Sequence, residues 1–164
     1  MDFSIVYSSK TGNTKMLADT IYKCLDKDEC KYYGDINNYN LDINDIFVGF
    51  WTDKGTADET SLEFLKSLKN KNIFLFGTAG FGESEVYFKN IINNIMHNID
   101  KTNKVKGAYM CQGKMPFSVR DRYEKIKKEG DKANIDALID NFDKALSHPD
   151  NNDLKKLTNM IKSL

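Results

Sequence analysis

Residues 4–14 read Ser4-Ile5-Val6-Tyr7-Ser8-Ser9-Lys10-Thr11-Gly12-Asn13-Thr14, a short apolar run that turns into a cluster of hydroxyls. Ile5, Val6 and Tyr7 are β-branched or aromatic, which predicts a strand. From Asn13 the period changes, and Met16, Leu17, Thr20, Ile21, Cys24 and Leu25 share one helical face. Between strand and helix, Ser8, Ser9, Thr11 and Thr14 surround a single glycine, Gly12. A helix N-terminus presents unpaired N–H groups at the positive end of its dipole, so a loop feeding it is a natural anion site. Gly12 lets the backbone approach an anion closely, and hydroxyls donate further hydrogen bonds. One hydroxyl suffices to cap a helix; four point to a phosphate. The Gly-Lys-Ser/Thr ending of a Walker loop is missing, as are the three glycines of a dinucleotide fingerprint.

Working outward, Cys30-Lys31-Tyr32-Tyr33 is a weak second strand, and Asn37 to Asn40 is turn-like. Ile46 to Trp51 and Ile73 to Phe76 are near-continuous apolar runs, the pattern of strands covered on both faces. The first enters the polar loop Thr52 to Asp58. The second ends at Gly77 and enters a loop of small residues, Thr78 to Ser84. Leu62, Leu65 and Leu68 mark one helix; Phe88, Ile91, Ile92, Ile95 and Ile99 mark another. Val105 to Met110 makes the last strand. Beyond it come a short charged helix around Arg122, Tyr123 and Ile126, a stripe from Ile135 to Leu146 and, after Pro149, a final stripe from Leu154 to Leu164. Packing of the Ile135 stripe on the sheet is its expected use. Alternating strands and helices predict a doubly wound α/β fold with a five-stranded parallel sheet in the order 2-1-3-4-5. Ligands bind such sheets beyond the carboxyl ends of the strands, where the three unusual loops lie.

At 164 residues the chain reads as one domain, residues 1–112 forming the core and 113–164 a helical addition. Lysine plus arginine and aspartate plus glutamate each total 24, which gives no charge-based case for nucleic acid or a membrane surface. The N-terminus enters a strand directly, with neither a signal peptide nor a span-length apolar segment. Cys24, Cys30 and Cys111 form no Cys-x-x-Cys pair and read as reduced cytoplasmic thiols, Cys111 as a buried structural one. His97 and His148 are too few to predict a metal site.

Ser9-Lys10-Thr11-Gly12-Asn13-Thr14 resembles the FMN-phosphate loop of flavodoxins, Ser/Thr-x-Thr-Gly-x-Thr, at the expected place after the first strand. Gly77 to Ser84 looks like a flavin-binding loop of short-chain flavodoxins, with Phe81 where an aromatic residue stacks on the ring. Thr52-Asp53-Lys54-Gly55 sits where their other ring-side loop lies. The likeness covers roughly residues 2–112. A closer one is to small flavodoxin-like proteins of anaerobes that partner bilirubin reductases. The resemblance implies FMN held by Ser9, Lys10, Thr11, Gly12, Asn13 and Thr14 at the phosphate. Around the ring it implies Trp51, Thr52, Asp53, Lys54, Gly55, Thr78, Ala79, Gly80, Phe81 and Gly82. No catalytic residue and no metal are expected.

The activity so implied is a monomeric electron carrier that stabilises the flavin semiquinone, with Gly55 where a peptide reorients toward the reduced ring. Flavodoxins are commonly strongly acidic and this chain is formally neutral, though Asp53, Asp58, Glu59, Glu83 and Glu85 place acids in the ring-side loops. An NAD(P)H-dependent quinone or azo reductase on the same fold is the competing expectation; the chain shows neither a second nucleotide fingerprint nor an obvious inserted lid. A flavin-free interaction module, with the hydroxyl loop as a mere cap, is the third. Lys10 is expected to be a solvated lysine, and Tyr87 to lie near the ring rim or pack in its helix.

Overall fold

The computed structural model of the chain describes residues 1–82, 84–130 and 134–164. Strands β1 (Phe3–Tyr7), β2 (Cys30–Asp35), β3 (Asp45–Asp53), β4 (Thr56–Ala57), β5 (Asn72–Ala79) and β6 (Lys104–Gln112) form one sheet. The five longer strands run parallel in the order β2-β1-β3-β5-β6, the predicted doubly wound arrangement. Val6, Val48 and Leu75 lie side by side across its centre, each fully buried.

Both faces are covered. Helices α1 (Asn13–Cys24) and α6 (Asn151–Lys162) pack Leu17, Ile21, Leu157 and Ile161 with Phe3, Ile5 and Phe76 on one side. Helices α2 (Glu59–Ser67) and α3 (Glu85–Met96) pack Leu65, Ile91 and Ile95 with Val48, Phe50 and Leu75 on the other. Covering both faces explains why β3 and β5 read as continuous apolar runs.

Three elements depart from the expectations. β5 runs past Gly77 to Ala79, because a Cβ at Gly77 would lie 2.3 Å from Phe50 Cζ, and glycine there lets the phenyl ring lie against the strand. The polar loop after β3 is a tight hairpin in which Thr52 pairs with Ala57 and Asp53 with Thr56. Its two central residues, Lys54 (φ 51°) and Gly55 (φ 82°), are both left-handed, as a two-residue type I′ turn requires. Lastly, the Ile135 stripe does not lie on the sheet. It forms α5 (Ile135–Ala145), which packs Ile135 and Phe142 against Tyr123 of α4 (Phe117–Lys128) in a small core of its own. Both sheet faces are already occupied, so α4 and α5 stand as an inserted pair between β6 and α6.

Candidate functional site

All parallel strands end on one edge of the sheet, and there the loops after β1, β3 and β5 meet around a cleft of about 380 Å³. Of the sixteen residues the resemblance assigns to FMN, all line it except Gly12, Gly55 and Gly82. A larger hollow of about 570 Å³ lies at the opposite end, among Met1, Phe3, Phe74 and Leu164. The loops after β1, β3 and β5 meet at the first and not at the second, which makes the first the candidate site.

Its floor is the start of α1. Gly12 has φ 89°, a conformation that favours glycine, and nothing lies within 4 Å of where a Cβ would project, so the loop is open above it. The helix has no side-chain cap on its N-cap residue. Ser9 Oγ accepts from Gly12 N–H at 3.1 Å and from Lys15 N–H at 3.4 Å, folding the loop back on itself. Thr14 takes another part: fully buried, its hydroxyl donates to the Phe50 carbonyl at 3.0 Å and meets Thr78 Oγ1 at 3.5 Å. Asn13 Nδ2 donates to the Lys114 carbonyl at 2.8 Å, tying the loop to the segment after β6.

The two aromatic residues sit at the ends of β3 and β5. Trp51 is half-buried, and Lys10 Nζ lies 5.1 Å from its ring centroid, so Lys10 is engaged with that ring. Phe81 is 41% exposed, available to a ligand, and braced edge-on by Tyr87 at 6.3 Å between centroids. Burial pushes the Tyr87 hydroxyl's pKa up. Thr52 Oγ1 and Asn13 Oδ1, in two residues of the cleft wall, are buried and have no hydrogen-bond partner among the described residues.

The acids of the ring-side loops take different places. Asp58 is 3% exposed and caps α2, accepting from Ser61 N–H, Ser61 Oγ and Trp51 N–H. Glu59 and Glu85 lie in the first turns of their helices, where acids complement the dipole. Glu83 lies outside the described residues. Among the described residues, Asp53 is the one carboxylate in the cleft wall.

Sequence reading missed a whole side of the site. Gly113, Lys114, Met115 and Pro116 after β6, with Val119, Arg122 and Tyr123 of α4, complete the lining. Gln112 Nε2 and Asn141 Nδ2, the latter from α5, both donate to the Gly80 carbonyl, at 3.0 and 3.1 Å. The inserted helices are thus fastened to the root of the Phe81 loop. Met115-Pro116 before a helix was the available signal, and nothing in its spacing said which way the helix would turn.

Two other groups are accounted for structurally. Cys111 is buried, and desolvation, with Asp153 and Asp150 nearby, pushes its thiol far above the ordinary cysteine range. His148, Asp150 and Asp153 come within 4.8 Å of one another, but they are knit into the capping box that starts α6.

A family model described as Flavodoxin domain matches residues 4–162. The flavodoxin-like domain-containing protein BilS of Clostridium symbiosum (strain WAL-14163) is 35% identical over 181 aligned residues, 99% of this chain and 95% of its own. Oxidised Flavodoxin 2 from Bacillus cereus superposes with a TM-score of 0.57 at 15% identity, covering 99% of this chain and 97% of that one. A flavoprotein in complex with FMN from Lactobacillus acidophilus NCFM gives 0.51 at 16% identity, over 75% of this chain and 98% of its own. Among the described residues, no helix is long and apolar enough to cross a membrane.

Proposed function

The chain belongs to the flavodoxin family, and on that premise we propose that it binds FMN in the cleft at the strand ends and carries electrons between partner proteins. One observation carries the reading: a helix start without an N-cap side chain, an exposed aromatic ring and a residue with an unpartnered buried hydroxyl border the same 380 Å³ space. A phosphate suits the first, through N–H groups and the dipole. A flat heteroaromatic ring suits the other two, by stacking and by hydrogen bonding. When bound, FMN supplies one- and two-electron redox chemistry. The protein's part is to hold the phosphate at α1, to stack the ring through Phe81 and Trp51, and to leave an edge open to a partner.

The acceptor we propose is a bilirubin reductase, on the likeness to the anaerobes' flavodoxin-like proteins; the BilS relative supports that direction. The cleft lies near the lower end of the range for small-ligand pockets, about 300–1,000 Å³. That is room for one cofactor and little for a nicotinamide beside it, which tells against a self-sufficient reductase. Mixing the FMN-loaded protein with NADPH or NADH tests this. No flavin bleaching in the absence of a donor protein fits a carrier, and steady NAD(P)H oxidation contradicts it.

A further inference from the structure

Among the described residues, charge in the cleft is mostly positive. Lys10, Lys54, Lys114 and Arg122 line it, against one carboxylate, Asp53, among the described residues. None of the four has a carboxylate within 4.0 Å among the described residues. Arg120, two residues earlier on α4, is held by Glu124 at 2.5 Å and Asp143 at 2.9 Å. Two residues along a helix is more than half a turn, so Arg120 reaches α5 while Arg122 lines the cleft. The chain as a whole is formally neutral, and the imbalance is therefore local.

A phosphate monoester brings a charge of about −1.5 to −2, and the start of α1 already offers it N–H groups and a dipole. The cleft is sized for one ligand, so the surplus positive charge on the α4 side acts on that same ligand. Resting on the FMN reading above, we propose that Arg122 is a tuning residue that favours the negatively charged, two-electron-reduced ring over the neutral oxidised one. The balance is simple: two electrons from a donor protein, or from dithionite, and one proton from solvent turn the neutral ring into a monoanion. A guanidinium in the same cleft attracts the phosphate in both states and the reduced ring's added charge in one only, so it favours the product.

Arg122 is exposed, so Arg122→Gln leaves the core intact. The test is the dissociation constant of oxidised FMN, by fluorescence quenching, together with the two-electron midpoint, by potentiometric titration with dithionite. The expected result is oxidised FMN bound within about twofold of the unaltered protein, and reduced FMN about fivefold more weakly. That lowers the midpoint by about 20 mV, at 29.6 mV per tenfold for two electrons. Arg122→Lys restores it. An unchanged midpoint in Arg122→Gln overturns the proposal. So does an equal loss of oxidised and reduced FMN with riboflavin unaffected, which would make Arg122 a phosphate ligand. If the unaltered protein binds no FMN, the functional reading itself is overturned, and this proposal with it.

Discussion

Thr11 and Thr14 stand three residues apart in the hydroxyl loop and are put to opposite uses. Thr14 is 1% exposed and bonded to the Phe50 carbonyl; Thr11 sits at the rim, its Oγ1 3.5 Å from the Lys114 carbonyl. Thr14→Val removes a buried hydrogen bond, so urea unfolding should show a loss of about 1 kcal/mol. Thr11→Val should leave stability within about 0.5 kcal/mol. It should weaken FMN about tenfold while leaving riboflavin unchanged, since a hydroxyl bonded to a charged phosphate is worth about 1.5–3 kcal/mol. Equal losses for both ligands would place Thr11 away from the phosphate. The crowd of hydroxyls was legible in the sequence. Their division was not, because it depends on Phe50 of β3 lying beneath the helix start.

At the scale of elements, the ring-side walls are set by contacts from far along the chain. Asn94 Nδ2 of α3 donates to the Gly55 carbonyl at 2.9 Å, pinning the type I′ turn. Gly55→Pro is incompatible with φ 82° and should break the hairpin rather than merely stiffen it. Asn94→Ala is the cleaner probe. It should speed FMN dissociation several-fold in stopped flow while leaving the phosphate loop's preference for FMN over riboflavin intact. On the other wall, Asn141→Ala removes one of the two donors on the Gly80 carbonyl. Bound flavin should then be less quenched and bind several-fold more weakly, with the apo melting temperature within about 2 °C. Unchanged quenching would mean that α5 does not position the Phe81 loop. The strands were legible from their apolar runs, and the last helix from its stripe after Pro149. The α4–α5 pair was not: an amphipathic stripe says that a face is buried, never against which neighbour, and the stripe fits a sheet as well as it fits Tyr123.

Across the whole molecule, several carboxyls are held below their ordinary range. The Lys69 ammonium lowers Asp100, the Arg120 guanidinium lowers Asp143, and the Asp153 backbone N–H lowers Asp150 at the cap of α6. A depressed carboxyl contributes stability that is present above its unfolded pKa and is lost as pH falls through the folded one. Asp143 is exposed and Asp100 and Asp150 are partly so, and the effect is therefore screened and modest. Urea midpoints of the apoprotein should therefore be level from pH 7 to pH 5 and fall below about pH 4. Asp150→Ala should lower the pH 7 midpoint by loosening α6, whose Leu157 and Ile161 complete the α1 face. A midpoint that rises on acidification would refute the assignment.

The claim on which the rest depends is that one FMN sits in the cleft at the strand ends. Titrating the purified protein with FMN, and following the visible spectrum through stepwise dithionite reduction, tests it most directly. The account predicts one flavin per chain, quenched fluorescence, shifted oxidised bands and a long-wavelength band that rises and falls as the two electrons enter separately. Flavin that stays free, or binds with neither quenching nor preference over riboflavin, would contradict it.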